Sequence, residues 1–236
     1  MSKASVDEIR ARFDNDIERF SNLDRGQSSF VDSKLSLEIA TESAKRLVPH
    51  ALNLLDVGSG AGNYTLKMLS KSPNLNCTLI DLSKPMLDKA LDRISKQTIK
   101  GKIQLIQSDI RNVELENNSF DIILSGAALH HLRNDGDWEN IFAKFYKALK
   151  QKGCLIISDL IFQNNNLLTD YMLELYSNYL NSLGGEDFCQ GILNKIEKED
   201  TPRPLDYQLD LMKKVGFKAV EVLHKNMCFA VFGAIK

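Results

Sequence analysis

The sequence predicts an α/β protein, a parallel sheet with helices packed on both faces. Three observations point there. Strand and helix signals alternate through the middle of the chain. The apolar run Leu54-Leu55-Asp56-Val57 passes directly into Gly58-Ser59-Gly60-Ala61-Gly62, as a buried strand does when it turns sharply into a helix. Two later apolar runs also end in acids, Asp81 and Asp109. Right-handed crossovers put the carboxyl ends of such strands on one edge, where ligands of these sheets bind.

The elements follow in order. Residues 5–20 read as a helix, with Val6, Ile9, Phe13, Ile17 and Phe20 at three- and four-residue spacing. The stretch Ser21–Ser29, with Gly26 inside it, is polar. A second helix spans 33–48 and stops before Pro49. Strands are expected at 52–57, 77–81, 103–107, 120–125 and 153–159, and helices at 62–71, 84–97 and 135–150. Ser83 followed by Pro85 marks the start of the second of these helices. Beyond Asp159 the rhythm changes to an aromatic-rich helical region over 166–196, then a helix over 205–215 closed by Gly216. Two apolar runs, 217–223 and 227–234, end the chain as an antiparallel hairpin. All 236 residues fit one domain: a helical cap (1–48), a cofactor-binding core (50–160), a helical insertion or lid (161–204) and a terminal helix with its hairpin (205–236).

Composition narrows the function. A net charge of −1 gives no global basic field for nucleic acid or an anionic membrane. The lysines between Lys96 and Lys102 read as a solvated loop. No apolar run reaches membrane-spanning length, and residues 1–20 lack a signal-peptide core. Cys77, Cys154, Cys189 and Cys228 show no metal-site spacing. Cys77, Cys154 and Cys228 fall in predicted strands, so free buried thiols in a reducing cytoplasm are expected. No residue is assigned to a metal.

The loop Gly58–Gly62 departs from the dinucleotide pattern, because Asn63 stands where the third glycine belongs. That disfavours a pyrophosphate cofactor. Asp81, about twenty residues on, suits the two hydroxyls of a ribose. Asp109 can accept from an exocyclic amine, with Leu82 or Ile110 flanking the base. After the strand ending at Ser125, Gly126-Ala127-Ala128 carry the chain across the site to His130 and His131. Either imidazole could serve as a general base, or simply pack and cap the next helix. Two adjacent histidines do not easily face one pocket together.

The ordered series LLDVGSGAG, LIDLS, QSDIRN, FDIILSGAALHHL and ALKQKGCLIISDL resembles the motifs of class I S-adenosylmethionine-dependent methyltransferases over residues 50–160. The resemblance implies a Rossmann-like seven-stranded mixed sheet of order 3-2-1-4-5-7-6, with strand 7 antiparallel. It implies S-adenosyl-L-methionine as cofactor, converted to S-adenosyl-L-homocysteine. Asp56, Gly58, Ser59, Gly60 and Gly62 would hold its methionine end, Asp81 its ribose and Asp109 its adenine amine. Leu82, Met86, Ile110, Ser125 and Gly126 would complete the site. Phe13, Phe20, Tyr171, Tyr176 and Tyr179 are expected in a lid over the substrate.

The termini also resemble carboxy-S-adenosylmethionine synthases and related small-molecule methyltransferases, through Phe13-Asp14, the helical insertion and the ending Cys228–Gly233. That family uses an arginine in the insertion to grip a carboxylate. Residues 186–200 here carry Lys195 and Lys198 and no arginine. The expected activity is methyl transfer to a small molecule, without nucleic acid or membrane, and with the final strands available for a homodimer. Other expectations are RNA modification, another reaction on the same cofactor, a non-catalytic cofactor-binding subunit and, disfavoured by the glycine spacing, a nicotinamide oxidoreductase.

Overall fold

A computed structural model describes residues 3–22 and 28–236, so Gly26 of the polar stretch lies outside the described residues. The strands are β1 (Asn53–Val57), β2 (Asn76–Asp81), β3 (Ile103–Gln107), β4 (Phe120–Gly126), β5 (Leu149–Leu160), β6 (Lys218–Asn226) and β7 (Phe229–Ile235). They form one sheet of order β3-β2-β1-β4-β5-β7-β6. β7 is antiparallel to both neighbours, and every other pairing is parallel. The first five strands therefore end on one edge. β6 is a sheet edge, whereas β7 lies inside the sheet.

Period-two alternation sorts each buried strand between two cores. Leu55 and Val57 of β1 face one side with Ile123 and Ile157. There they meet Trp138, Phe142 and Phe145 of α6 (Asp135–Ala148) and Leu211 and Met212 of α8 (Leu205–Val215). Leu54 faces the other side with Leu79, Ile122 and Ile156. This second core is closed by α3 (Ser33–Leu47), α4 (Asn63–Lys71) and α5 (Lys84–Ser95). The near-continuous apolar runs in the sequence are what two buried faces demand. Among the described residues no helix is long and apolar enough to cross a membrane.

Beyond shifts of up to three residues at element ends, such as β6 running to Asn226, four features differ from the sequence reading. The first helix is two, α1 (Val6–Asn15) and α2 (Ile17–Ser21), broken at Asp16. Asn15 and Asp16 are poor helix formers that favour caps. In an unbroken helix Phe13 and Phe20 would sit about 10.5 Å apart along the axis; here their rings meet at 5.3 Å. β5 starts at Leu149, not 153. The register jumps between Phe120↔Leu149 and Ile122↔Cys154, and a bulge absorbs the polar Lys150-Gln151-Lys152 that reads as a turn. The long helix α7 (Asn166–Glu199) is interrupted at Gly185, whose φ of 75° and ψ of −175° lie in a region open essentially only to glycine. Cys228 sits in the turn before β7 rather than in a strand, although all four cysteines are free and buried.

Candidate active site

The chain leaves β1 through Gly58, at φ 65°. A Cβ there would lie 2.3 Å from Cβ of Ala128, so the crossing of the two loops requires glycine. The N–H groups of Gly58 and Ser59 both donate to the Ile80 carbonyl (2.9 and 3.1 Å), fastening the loop to the end of β2. Asp56 accepts from Thr65 N–H (3.1 Å) and Thr65 Oγ1 (2.6 Å), which fixes α4 on β1. Burial, with the charge of Asp81 adding to it, pushes the Asp56 carboxyl up to about 6 against those two bonds. Its Oδ1, like Ser59 Oγ, is buried and has no hydrogen-bond partner among the described residues.

Asp81, at the end of β2, accepts from Gly60 N–H at 2.7 Å and from Ser83 N–H at 2.8 Å. Burial raises its pKa to about 6, against the pull of those donors and with the charge of Asp14 adding to the rise. Asp109, after β3, is gripped by Arg111: Nε lies 3.0 Å from both carboxylate oxygens and Nη2 is 2.5 Å from Oδ2. Arg111 outweighs burial and holds the Asp109 pKa below the usual range. Asp109 lines the cavity beside Ile110 and Ser108 and meets it as an acceptor already paired with Arg111.

The cavity measures about 270 Å³ and runs along this edge, from Gly58, Gly60 and Asp81 past Gly126 to His130 and His131. At the far end Asp159 closes β5. It accepts from the N–H groups of Leu129 (2.8 Å) and His130 (3.2 Å) through Oδ2, and its Oδ1 meets His130 Nδ1. Asp200, just past α7, places Oδ1 3.0 Å from His131 Nδ1 and 3.7 Å from His130 Nε2. Burial opposes a charged His130, but Asp159 and Asp200 outweigh it and hold its pKa near 9. His131 is pushed down by burial and by its charged neighbour.

The roof comes from α1, α2 and the end of α7. Arg12 forks onto Glu199 (2.8 and 2.5 Å), and Arg133 donates to the carbonyls of Glu199 (2.6 Å) and Ala4 (2.7 Å). Asn63 Nδ2 donates to Phe20 O at 2.9 Å, which joins the roof to the glycine loop. The ring of Phe13 stands edge-on to His131, with centroids 5.8 Å apart.

Most of the residues singled out in the sequence converge here. Gly58, Ser59, Gly60, Asp81, Leu82, Met86, Asp109, Ile110, Gly126, Phe13, Phe20, Tyr176, His130 and His131 all line the cavity. Five do not. Asp56 and Ser125 lie behind the wall, and Gly62 turns the chain into α4 against Ala90. Tyr171 is half-exposed, and Tyr179 donates to the Ser28 carbonyl at 2.7 Å. The expectation that only one histidine faces the pocket also fails, because the chain makes a 3₁₀ turn over Leu129–His131 that turns both rings inward. Lys195, noted in the sequence as a cation of the insertion, is on the wall, while sequence reasoning missed Arg12, Arg19, Glu199 and Asp200 on the wall and Asp159 behind it. Asp159 was within reach, since it ends a strand in the quoted motif ISDL.

Residues 54–153 match a family model described as a methyltransferase domain. The chain is 25% identical over 210 residues to a carboxy-S-adenosyl-L-methionine synthase of Nautilia profundicola, covering 88% of this chain and 86% of that one. It is 27% identical over 234 residues to the synthase of that name from Campylobacter hominis, covering 95% and 98%. Among solved structures, the YcgJ protein of Bacillus subtilis superposes with a TM-score of 0.60 at 18% identity, over 81% of this chain and 71% of that one. Human N-acetylserotonin methyltransferase superposes at 0.58 with 18% identity, over 88% of this chain and 53% of that one. At these identities the structures establish the fold.

Proposed function

We propose that the chain, similar over residues 54–153 to a methyltransferase domain and over most of its length to carboxy-S-adenosyl-L-methionine synthases, binds S-adenosyl-L-methionine along the ends of β1, β2 and β3 and transfers its methyl group to a small molecule held under α1, α2 and α7. The observation that carries this reading is the single cavity joining the glycine loop and Asp81 to the pair of histidines. The residues present fit the cofactor. The carboxylate of Asp81 faces the cavity with lone pairs left for ribose hydroxyls. The unpartnered Ser59 Oγ lies at the glycine end of the cavity, where an amino-acid moiety supplies a partner.

The sulfonium supplies an already activated methyl group. The protein's contribution is then orientation and exclusion of water, worth roughly 7–11 kcal/mol in favourable cases. His130, locked by Asp159, and His131 are placed to hold or accept a proton at the acceptor end.

A second reading has its own support. Lys195 lines the cavity, and burial together with Arg19 pushes its pKa down. A cation of this kind suits an anionic group, as the likeness to carboxy-S-adenosyl-L-methionine synthases would require. One experiment separates the two. The protein is incubated with methyl-¹³C cofactor and a small-metabolite extract, and the products are followed by mass spectrometry. Methyl transfer yields S-adenosyl-L-homocysteine and a labelled acceptor. The synthase reaction yields a carboxylated cofactor that retains the label. Neither product would leave the proposal without support.

A further inference from the structure

Four features of the far wall of the cavity point to a cation. The first is convergence: one donor atom each of His130, His131 and Asp200 lies within 4.8 Å of the other two. Donors bound to one ion at about 2.0–2.2 Å in tetrahedral geometry stand roughly 3.3–3.6 Å apart. The observed 3.0 and 3.7 Å from Asp200 Oδ1 to the two rings bracket that spacing.

The second is orientation. Asp159 takes the Nδ1 side of His130, and two backbone N–H groups hold its other oxygen. The ring is thereby fixed with Nε2 aimed at the cluster, the carboxylate–histidine arrangement that serves metal ligands. The third is an unmet need. The Asp200 side chain is only 9% exposed, yet its Oδ1 has no hydrogen-bond partner among the described residues. It faces His131 Nδ1 at 3.0 Å, a nitrogen that also lies 3.5 Å from the Glu199 carbonyl oxygen. The fourth is rigidity. Thr201 N–H donates to the His130 carbonyl at 2.7 Å, and Asp200 N–H closes α7 on Ile196 O at 3.0 Å.

We propose that His130, His131 and Asp200 form a binding site for a divalent transition-metal ion at the acceptor end of the cavity. Two imidazoles and one carboxylate suit zinc, iron or nickel better than magnesium or calcium. Three protein ligands leave a coordination position open to the cavity. There the ion binds an oxygen or nitrogen of the acceptor and lowers its pKa. That role rests on the reading of the cavity as a cofactor and acceptor site, whereas metal binding itself does not.

The test is a titration of metal-free, full-length protein with Co²⁺, followed by visible d–d absorption and by competition with Zn²⁺. The expected result is one equivalent bound with a tetrahedral or five-coordinate spectrum. Asp200→Asn and His131→Gln should each weaken binding at least about 100-fold, and Asp159→Asn by about 10–100-fold. Absence of a stoichiometric spectrum in the unsubstituted protein would overturn the site without recourse to any variant. Equal affinity in Asp200→Asn, with its circular dichroism unchanged, would do so too. S-adenosyl-L-homocysteine titrated in parallel reads the cofactor site independently, so a failure of either reading is seen on its own.

Discussion

Asp81 combines two properties that are rarely compatible. Its carboxylate is the natural partner of ribose hydroxyls, yet burial lifts its pKa to about 6. The raised pKa means that the free native protein holds a proton there between the ordinary carboxylate range and about pH 6. Stability of the unliganded protein therefore falls as pH rises through that window. Ligand binding runs the other way, because the hydroxyls donate to the ionised form. Affinity for S-adenosyl-L-homocysteine is expected to rise about tenfold from pH 5 to pH 7. Calorimetry at the two pH values checks this. Asp81→Asn should flatten the profile, and a slope that persists in the variant would assign it to Asp56 instead. Gly58 makes the other residue-scale prediction. Gly58→Ala adds a clash with Ala128 to an unfavourable φ, and should cost about 2–4 kcal/mol in denaturant unfolding.

At the scale of elements, α7 is anchored by an apolar cluster that includes Leu160, Tyr176, Leu180, Ile192 and Phe229, and polar ties join its end to α1. Arg12 and Glu199 are the strongest of these, with side chains 21% and 9% exposed. Arg12→Ala leaves the Glu199 carboxylate buried without its fork. The expected loss is about 1–3 kcal/mol of local stability, read as faster hydrogen exchange in α1 and around residues 196–200 while β1 and β4 stay protected. Uniform acceleration across the sheet would show that the roof and the core open together. The strands were legible in the sequence because burial on both faces leaves long apolar runs. The helix breaks were less so. Asp16 interrupts a helix whose apolar spacing continues across it, and the bulge in β5 hides in a polar stretch that reads as a turn. Gly184-Gly185 was a visible signal for the break in α7.

For the whole molecule, the order of the strands does the functional work. It brings Gly58, Asp81, Asp109, Gly126 and His130, which span more than seventy residues of sequence, to one edge and one cavity. That convergence could be read from local motifs, because the residues sit at or just past the ends of β1 to β4, with Gly126 and His130 sharing β4. The opposite wall could not. Asp200 reaches His130 and His131 across about seventy residues through a kinked helix, and neither periodicity nor spacing encodes that meeting. The grip of Arg111 on Asp109, two residues apart, was local and was still missed. A carboxylate at a strand end looks free until its neighbour's side chain is placed.

The central claim is that the edge formed by β1, β2 and β3 is a cofactor site centred on Asp81. Titration of S-adenosyl-L-homocysteine into the purified protein by calorimetry, beside Asp81→Ala, tests it most directly. Micromolar binding of one equivalent, weakened at least tenfold by the substitution, is the predicted result. No binding to the unsubstituted protein, or binding indifferent to the loss of Asp81, would contradict it.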